Sequence, residues 1–110
     1  MPSLVEDVYA SEAVLRYVVS VTSATREHGD VYLGASPRAS RMLLAAARAR
    51  AAAGGRSYCT PDDVKTVALS VLSHRIIPSS GVRGSDNDSA GVTERIVQEI
   101  LGSVPVTEAV

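Results

Sequence analysis

Apolar positions recur at helical spacing over four stretches of the chain, separated by short turn-rich segments. The first stretch runs from about Val5 or Ser11 to Thr25, with Val14, Leu15, Val18, Val19 and Thr22 predicted on one face. Its many valines lower helix propensity, so packing must supply the stability. His28-Gly29-Asp30 ends it, and Val31-Tyr32-Leu33 forms a short extended piece before a turn at Gly34. A second helix starts at Pro37, with Ala39, Met42, Leu43, Ala46, Ala47 and Arg50 at helical spacing. Gly54-Gly55 stops it, as glycine does at a C′ position. Arg56-Ser57-Tyr58-Cys59 reads as a second extended piece, placed to pair with Val31–Leu33 as a minimal two-strand ladder.

Thr60-Pro61-Asp62-Asp63 resembles a capping box, with Thr60 as N-cap, Pro61 at the first helical position and acids in the first turn. The third helix then turns Val64, Val67, Ala68, Val71 and Leu72 inward and ends near His74-Arg75, cations that suit a helix C-terminus. Residues 78–91 are rich in Pro, Gly, Ser, Asp and Asn and predict a flexible loop. A shorter fourth helix follows from Val92 or Thr93 to Leu101, with Ile96, Val97, Ile100 and Leu101 on its apolar edge. Gly102 is expected to stop it, and the last eight residues read as a tail or a strand-like strap. The fold class is therefore all-α: a small bundle of about four helices in one domain. Residues 1–77 form a three-helix core, 78–91 the loop, and 92–110 the last helix and tail.

At 110 residues the chain is long enough for one modest core. With no Phe or Trp and four Tyr, that core must be built from Val, Leu, Ile and Ala, which favours closely packed helices. The single cysteine, Cys59, excludes an internal disulfide and suggests a reducing compartment. One Cys and two distant His (His28, His74) make no metal set. No apolar run approaches the ~20 residues of a membrane span, and the first residues lack a signal-peptide pattern. A cytoplasmic location is the expectation. Eleven basic and twelve acidic residues leave no overall field to draw the chain to nucleic acid or membrane. The charges are unevenly spread, however: Val31 to Pro61 holds five arginines (Arg38, Arg41, Arg48, Arg50, Arg56) and no acid.

One cation in that window sits against its local electrostatics. Ser36 is a suitable N-cap whose hydroxyl can accept a backbone N–H, and Pro37 suits the first helical position. Arg38 then falls in the first turn, where the helix dipole repels a cation. A helix N-terminus with an arginine makes a phosphate site; a solvated arginine at an ordinary helix start is the plainer reading. Other chemistry is sparse. No G-x-x-x-x-G-K-S/T loop is present to cradle nucleotide phosphates. The stretch from Asp86 begins like a calcium loop but has Val97 where a bidentate glutamate is needed. No catalytic triad or carboxylate pair stands out, so no catalytic residue is assigned in this chain alone.

The ordered set Gly34-Ala35-Ser36-Pro37-Arg38-Ala39-Ser40, Gly55-Arg56-Ser57-Tyr58-Cys59-Thr60-Pro61-Asp62-Asp63-Val64 and Val71-Leu72-Ser73-His74-Arg75-Ile76 resembles the C-terminal lid of a MoxR-type AAA+ ATPase. Tyr17 and Thr25-Arg26 are similar to the same pattern, which covers roughly residues 8–77. The resemblance implies a helical lid that follows an α/β ATPase core. It implies that Arg38 is the second sensor, reaching the phosphates of an ATP held with Mg by that core. It further implies a ring of subunits, chaperone-like remodelling and a von Willebrand factor A-type client. No membrane or nucleic-acid partner is expected.

The remaining candidates each have a plainer reading. Arg41, Arg48 and Arg50 could line an interface or simply face solvent, and Arg56 could approach nucleotide or be a turn arginine. His74 and Arg75 match a family pair but also cap a helix end. Cys59 reads as a small buried hydrophobe, and Thr60 to Asp63 as capping residues. The runner-up function is an independent helical module binding nucleic acid or protein through segment 31–61. The lack of interleaved aromatics and the balanced charge argue against the nucleic-acid form. An autonomous enzyme ranks third.

Overall fold

A computed structural model describes residues 8–29, 31–73, 75–78 and 89–105. In chain order the elements are β1 (Tyr9–Ala10), α1 (Glu12–Glu27), β2 (Val31–Leu33), α2 (Pro37–Ala53), β3 (Tyr58–Cys59), α3 (Pro61–Leu72), β4 (Ile77–Pro78) and α4 (Ser89–Ser103). The all-α bundle expected from the periodicity is present. The main correction to it concerns the strands. Tyr58–Cys59 does not pair with Val31–Leu33: it pairs in parallel with Tyr9–Ala10, while Val31–Leu33 pairs antiparallel with Ile77–Pro78 through an irregular register. Helix length explains this. The two segments flank the 17 residues of α2, so at 1.5 Å per residue they leave it about 25 Å apart.

α1 begins at Ser11, whose side chain accepts from the Val14 N–H at 3.3 Å. Its buried stripe is Val14, Tyr17, Val18, Val21, Thr22 and Thr25. Leu15 and Val19, expected inward, are 39% and 55% exposed. The stripe is rotated because Thr25 joins Thr22 in it, together with Tyr17 and Val21. Thr22 donates to the Val18 carbonyl at 3.1 Å and Thr25 to the Thr22 carbonyl at 2.6 Å, so their hydroxyls are buried without loss.

α2 buries Ala39, Leu43, Ala47 and Ala51, one residue per turn. Three alanines in that row let neighbouring backbones come close. Met42, placed inward by spacing, is 37% exposed. At the C-terminus the Gly55 N–H bonds the Ala52 carbonyl at 3.0 Å and the Arg56 N–H the Ala51 carbonyl at 2.9 Å, with Gly55 at φ 78°. This is a Schellman ending, which glycine adopts without a Cβ penalty.

α3 packs most extensively against α2. Val64, Ala68 and Leu72 are buried, with Val67 and Val71 packed half-buried beside them. α4 closes the bundle with Ile96, Val97 and Ile100 buried. It starts at Ser89, ahead of Val92 or Thr93, and it runs through Gly102 to Ser103, so Gly102 does not stop it. Residues 79–88 of the expected loop and 106–110 of the expected tail lie outside the described residues.

The α2–α3 junction is locked by Asp63. Its carboxylate and the Thr60 side chain form the capping box, accepting the Thr60 N–H at 2.8 Å while Thr60 accepts the Asp63 N–H at 3.3 Å. The same fully buried carboxylate accepts two bonds from the Arg56 guanidinium at 2.7 Å and one from Arg50 at 2.6 Å. Arg50 is therefore no apolar-face residue, and Asp63 is more than a cap. Hydrogen bonds from Arg56 hold the carboxyl well below the ordinary carboxylate range, with bonds from Thr60 and Arg50 adding to this; burial opposes them.

Two tests follow from this packing. Val21→Ala is expected to cost about 2 kcal/mol in chemical denaturation, and Val19→Ala less than about 0.5 kcal/mol; equal costs would put the α1 face back where spacing first placed it. Asp63→Asn leaves two partly exposed guanidiniums facing no anion, so it should cost about 2–3 kcal/mol at neutral pH. Because the folded carboxyl is depressed, its stabilisation is complete above the unfolded value of about 3.9 and fades as pH falls below it. Melting curves of wild type and Asp63→Asn should therefore keep a constant gap from pH 8 to 5 and converge in stronger acid.

Candidate functional site

The turn into α2 is built against the last turn of α1. The Ala35 N–H donates to Thr25 Oγ1 at 2.8 Å, and the Ala35 carbonyl accepts from the Arg26 guanidinium at 2.6 Å. Arg26 also donates to Ser23 Oγ at 3.1 Å, so its fork bridges α1 and the turn. Both backbone polar groups of Ala35 are thus satisfied by two consecutive residues, and Ala35 itself is fully buried. Gly34 is required by contact. A Cβ there would lie 2.6 Å from the Arg26 Cα and Cγ, so the two backbones meet at this point. Inside α2 a further tie joins Thr22 and Ser40, whose hydroxyl oxygens are 2.6 Å apart.

Ser36 occupies the N-cap position expected for it but makes no side-chain cap bond; its carbonyl accepts the Ala39 N–H at 2.9 Å instead. The grip of α1 on Ala35 supplies the anchoring that a capping hydroxyl would otherwise give. Pro37 stands at the start of the helix, and no acid lies in the first turn. Arg38 follows, exposed, and makes no hydrogen bond or ion pair among the described residues. A free cation at a positive helix end is electrostatically unfavourable in isolation and is suited to receive an anion.

The other arginines divide. Arg50 and Arg56 turn inward to Asp63, and Arg56 also lies over the Tyr58 ring at 6.0 Å. Arg41 is exposed; Arg48 is half-buried, with an Nε that has no partner among the described residues. Cys59 is buried, and burial pushes its thiol up, away from the reactive thiolate. Arg75 is exposed just beyond α3, and His74 lies outside the described residues. Among the described residues no three His, Cys, Asp or Glu side chains are grouped to hold a metal, and no helix is long and apolar enough to cross a membrane. The calcium-like stretch from Asp86 to Asp88 lies outside the described residues, and its Val97 is buried in α4.

Sequence reasoning missed the role of Asp63 as a hub and the hold of Thr25-Arg26 on Ala35. The signal for the first was present: an acid-free window with five arginines ends directly at Asp62-Asp63. The second pairs residues nine and ten positions apart across a turn, which no periodicity reports.

Residues 23–100 match the family of the AAA lid domain. The chain is 36% identical over 104 residues to the uncharacterized protein YeaC of Bacillus subtilis, covering 93% of this chain and 31% of that protein. It is 34% identical to the chaperone MoxR1 of Mycobacterium tuberculosis, with 93% and 29% covered. Against the protein MoxR of Paracoccus denitrificans the identity is 36%, with 64% and 25% covered. The fold superposes on a candidate ATPase from Cytophaga hutchinsonii with a TM-score of 0.82 at 31% identity, over 94% of this chain and 33% of that one. The chain thus spans less than a third of the length of each of these three relatives. It belongs to the AAA lid domain family, as a lid of the MoxR type of AAA+ ATPase.

Proposed function

We propose that this chain is the nucleotide-sensing C-terminal lid of a chaperone-like AAA+ remodelling ATPase, and that Arg38 is its phosphate sensor. The observation that carries the reading is Arg38, exposed and without a partner among the described residues, in the first turn of α2 at a helix start that α1 holds in place. A guanidinium fork suits a phosphate because it offers parallel N–H donors and a charge that does not titrate. ATP, with Mg, is held by the core, and the lid contributes Arg38 to the phosphates. Contact with the terminal phosphate is gained on ATP binding and lost after hydrolysis, so the position of the whole lid follows the nucleotide state. The helices act as one domain, α4 included, packed on the core and on neighbouring subunits of a ring. The match to a relative named as a chaperone supports remodelling of other proteins. A von Willebrand factor A-type client and a cytoplasmic location belong to the same proposal.

Two measurements test this. The 110-residue chain alone should neither hydrolyse ATP nor bind it at micromolar concentration, since the phosphate-cradling loop is not within it; saturable micromolar binding by calorimetry would sink the reading. Arg38→Ala should leave the lid's melting temperature within a few degrees, since an exposed arginine in a first turn contributes little to stability. In the full-length ATPase the same change should cut turnover about tenfold or more. Normal turnover would remove Arg38 from its role.

A further inference from the structure

We infer that Thr25 and Arg26 are positioning residues for Arg38: by holding the backbone N–H and carbonyl of Ala35 they fix the direction in which α2 begins, and with it the place from which the arginine reaches its phosphate. The inference rests on the sensor reading of Arg38. Its geometry is independent of that reading.

Arg38 is bracketed by ties to α1. Three residues before it, the Ala35 N–H and carbonyl are bound by Thr25 and Arg26 at 2.8 and 2.6 Å. Two residues after it, Ser40 meets Thr22 at 2.6 Å. Between these points the backbone has little freedom. Pro37 fixes its own φ, and Gly34 lies so close to the Arg26 backbone that even a methyl group would not fit. The start of α2 therefore cannot tilt without breaking bonds to α1.

Thr25 and Arg26 stand differently toward the fold. Thr25 is fully buried, and its loss leaves a buried amide without an acceptor. Arg26 is an exposed side chain at the end of α1, and α1 and α2 already pack on each other, with Val18, Ala39 and Leu43 in the common core. The bundle does not need an arginine there to close. What the Arg26 fork adds, by joining Ser23 Oγ to the Ala35 carbonyl, is orientation of the turn. Since displacement of a contacting group by about 1 Å can cost up to 10²-fold in rate, such an anchor acts on turnover through Arg38 while touching no substrate.

The test is a double-mutant cycle in the full-length ATPase that carries this lid, with Arg26→Ala, Arg38→Ala and both. Amide exchange of the nucleotide-free protein is measured alongside. Arg26→Ala should speed exchange in the segment from Gly34 to Ala39 while α3 and α4 exchange as in wild type. It should lower kcat about tenfold with KM for ATP little changed, and it should cause no further loss once Arg38 is Ala. Thr25→Val should behave likewise and Thr25→Ser should restore both readouts; if Thr25→Val fails to fold, Arg26→Ala carries the test. A loss from Arg26→Ala that multiplies with that of Arg38→Ala overturns the positioning role and leaves the sensor standing. So does faster exchange with unchanged kcat, or unchanged exchange. Normal turnover in Arg38→Ala alone overturns the sensor reading, and the positioning role with it.

Discussion

The backbone of Ala35, held by its N–H on Thr25 and by its carbonyl on Arg26, sets where α2 begins, and α2 in turn places the rest of the bundle. Its row of Ala39, Leu43, Ala47 and Ala51 admits α1 on one flank and α3 on the other at close range because the side chains are small. At the far end, the Schellman turn delivers Arg56 to the Asp63 carboxylate that Arg50 reaches from within α2. The helix is thus fixed at both ends by polar contacts and along its length by apolar ones. These contributions differ in kind. Apolar burial is non-directional and supplies most of the driving force, whereas the two polar anchors fix register and direction.

The Asp63 cluster shows how a buried charge is tolerated in so small a core. A carboxylate without solvent is costly unless its acceptor capacity is filled. Here two guanidiniums and the Thr60 N–H and hydroxyl fill it. The same arginines keep part of their side chains in water, so their own desolvation is incomplete. The cluster joins α2, the turn after it and α3 in one network, and any shift of α3 relative to α2 must break several charge-assisted bonds at once.

Much of the fold was legible because it depends on local chemistry. The capping box at Thr60-Asp63, the glycine ending after Ala53 and the helical spacing of Val64, Ala68 and Leu72 are all decided within a few residues. The features that local pattern does not carry depend on partners far along the chain. Spacing puts Leu15 and Val19 inward because it counts apolar residues and passes over Thr25, whose hydroxyl finds a backbone carbonyl when buried. The strand pairing differs from the one local pattern suggests because α2 separates the two extended pieces along its length. For the site, the exposed first-turn position of Arg38 could be read from Ser36-Pro37-Arg38 alone. Its anchoring by Thr25-Arg26 could not, since it exists only once α1 and the Gly34 turn are in contact.

The lid therefore presents Arg38, without a partner among the described residues, at a point of α2 tied to α1 on both sides. The most direct check is a crystal structure of the full-length protein with a non-hydrolysable ATP analogue. The account predicts Arg38 guanidinium nitrogens within about 2.7–2.9 Å of phosphate oxygens, with the Ala35 bonds to Thr25 and Arg26 intact. An Arg38 side chain left in solvent, with the phosphates contacted by other residues, would contradict it.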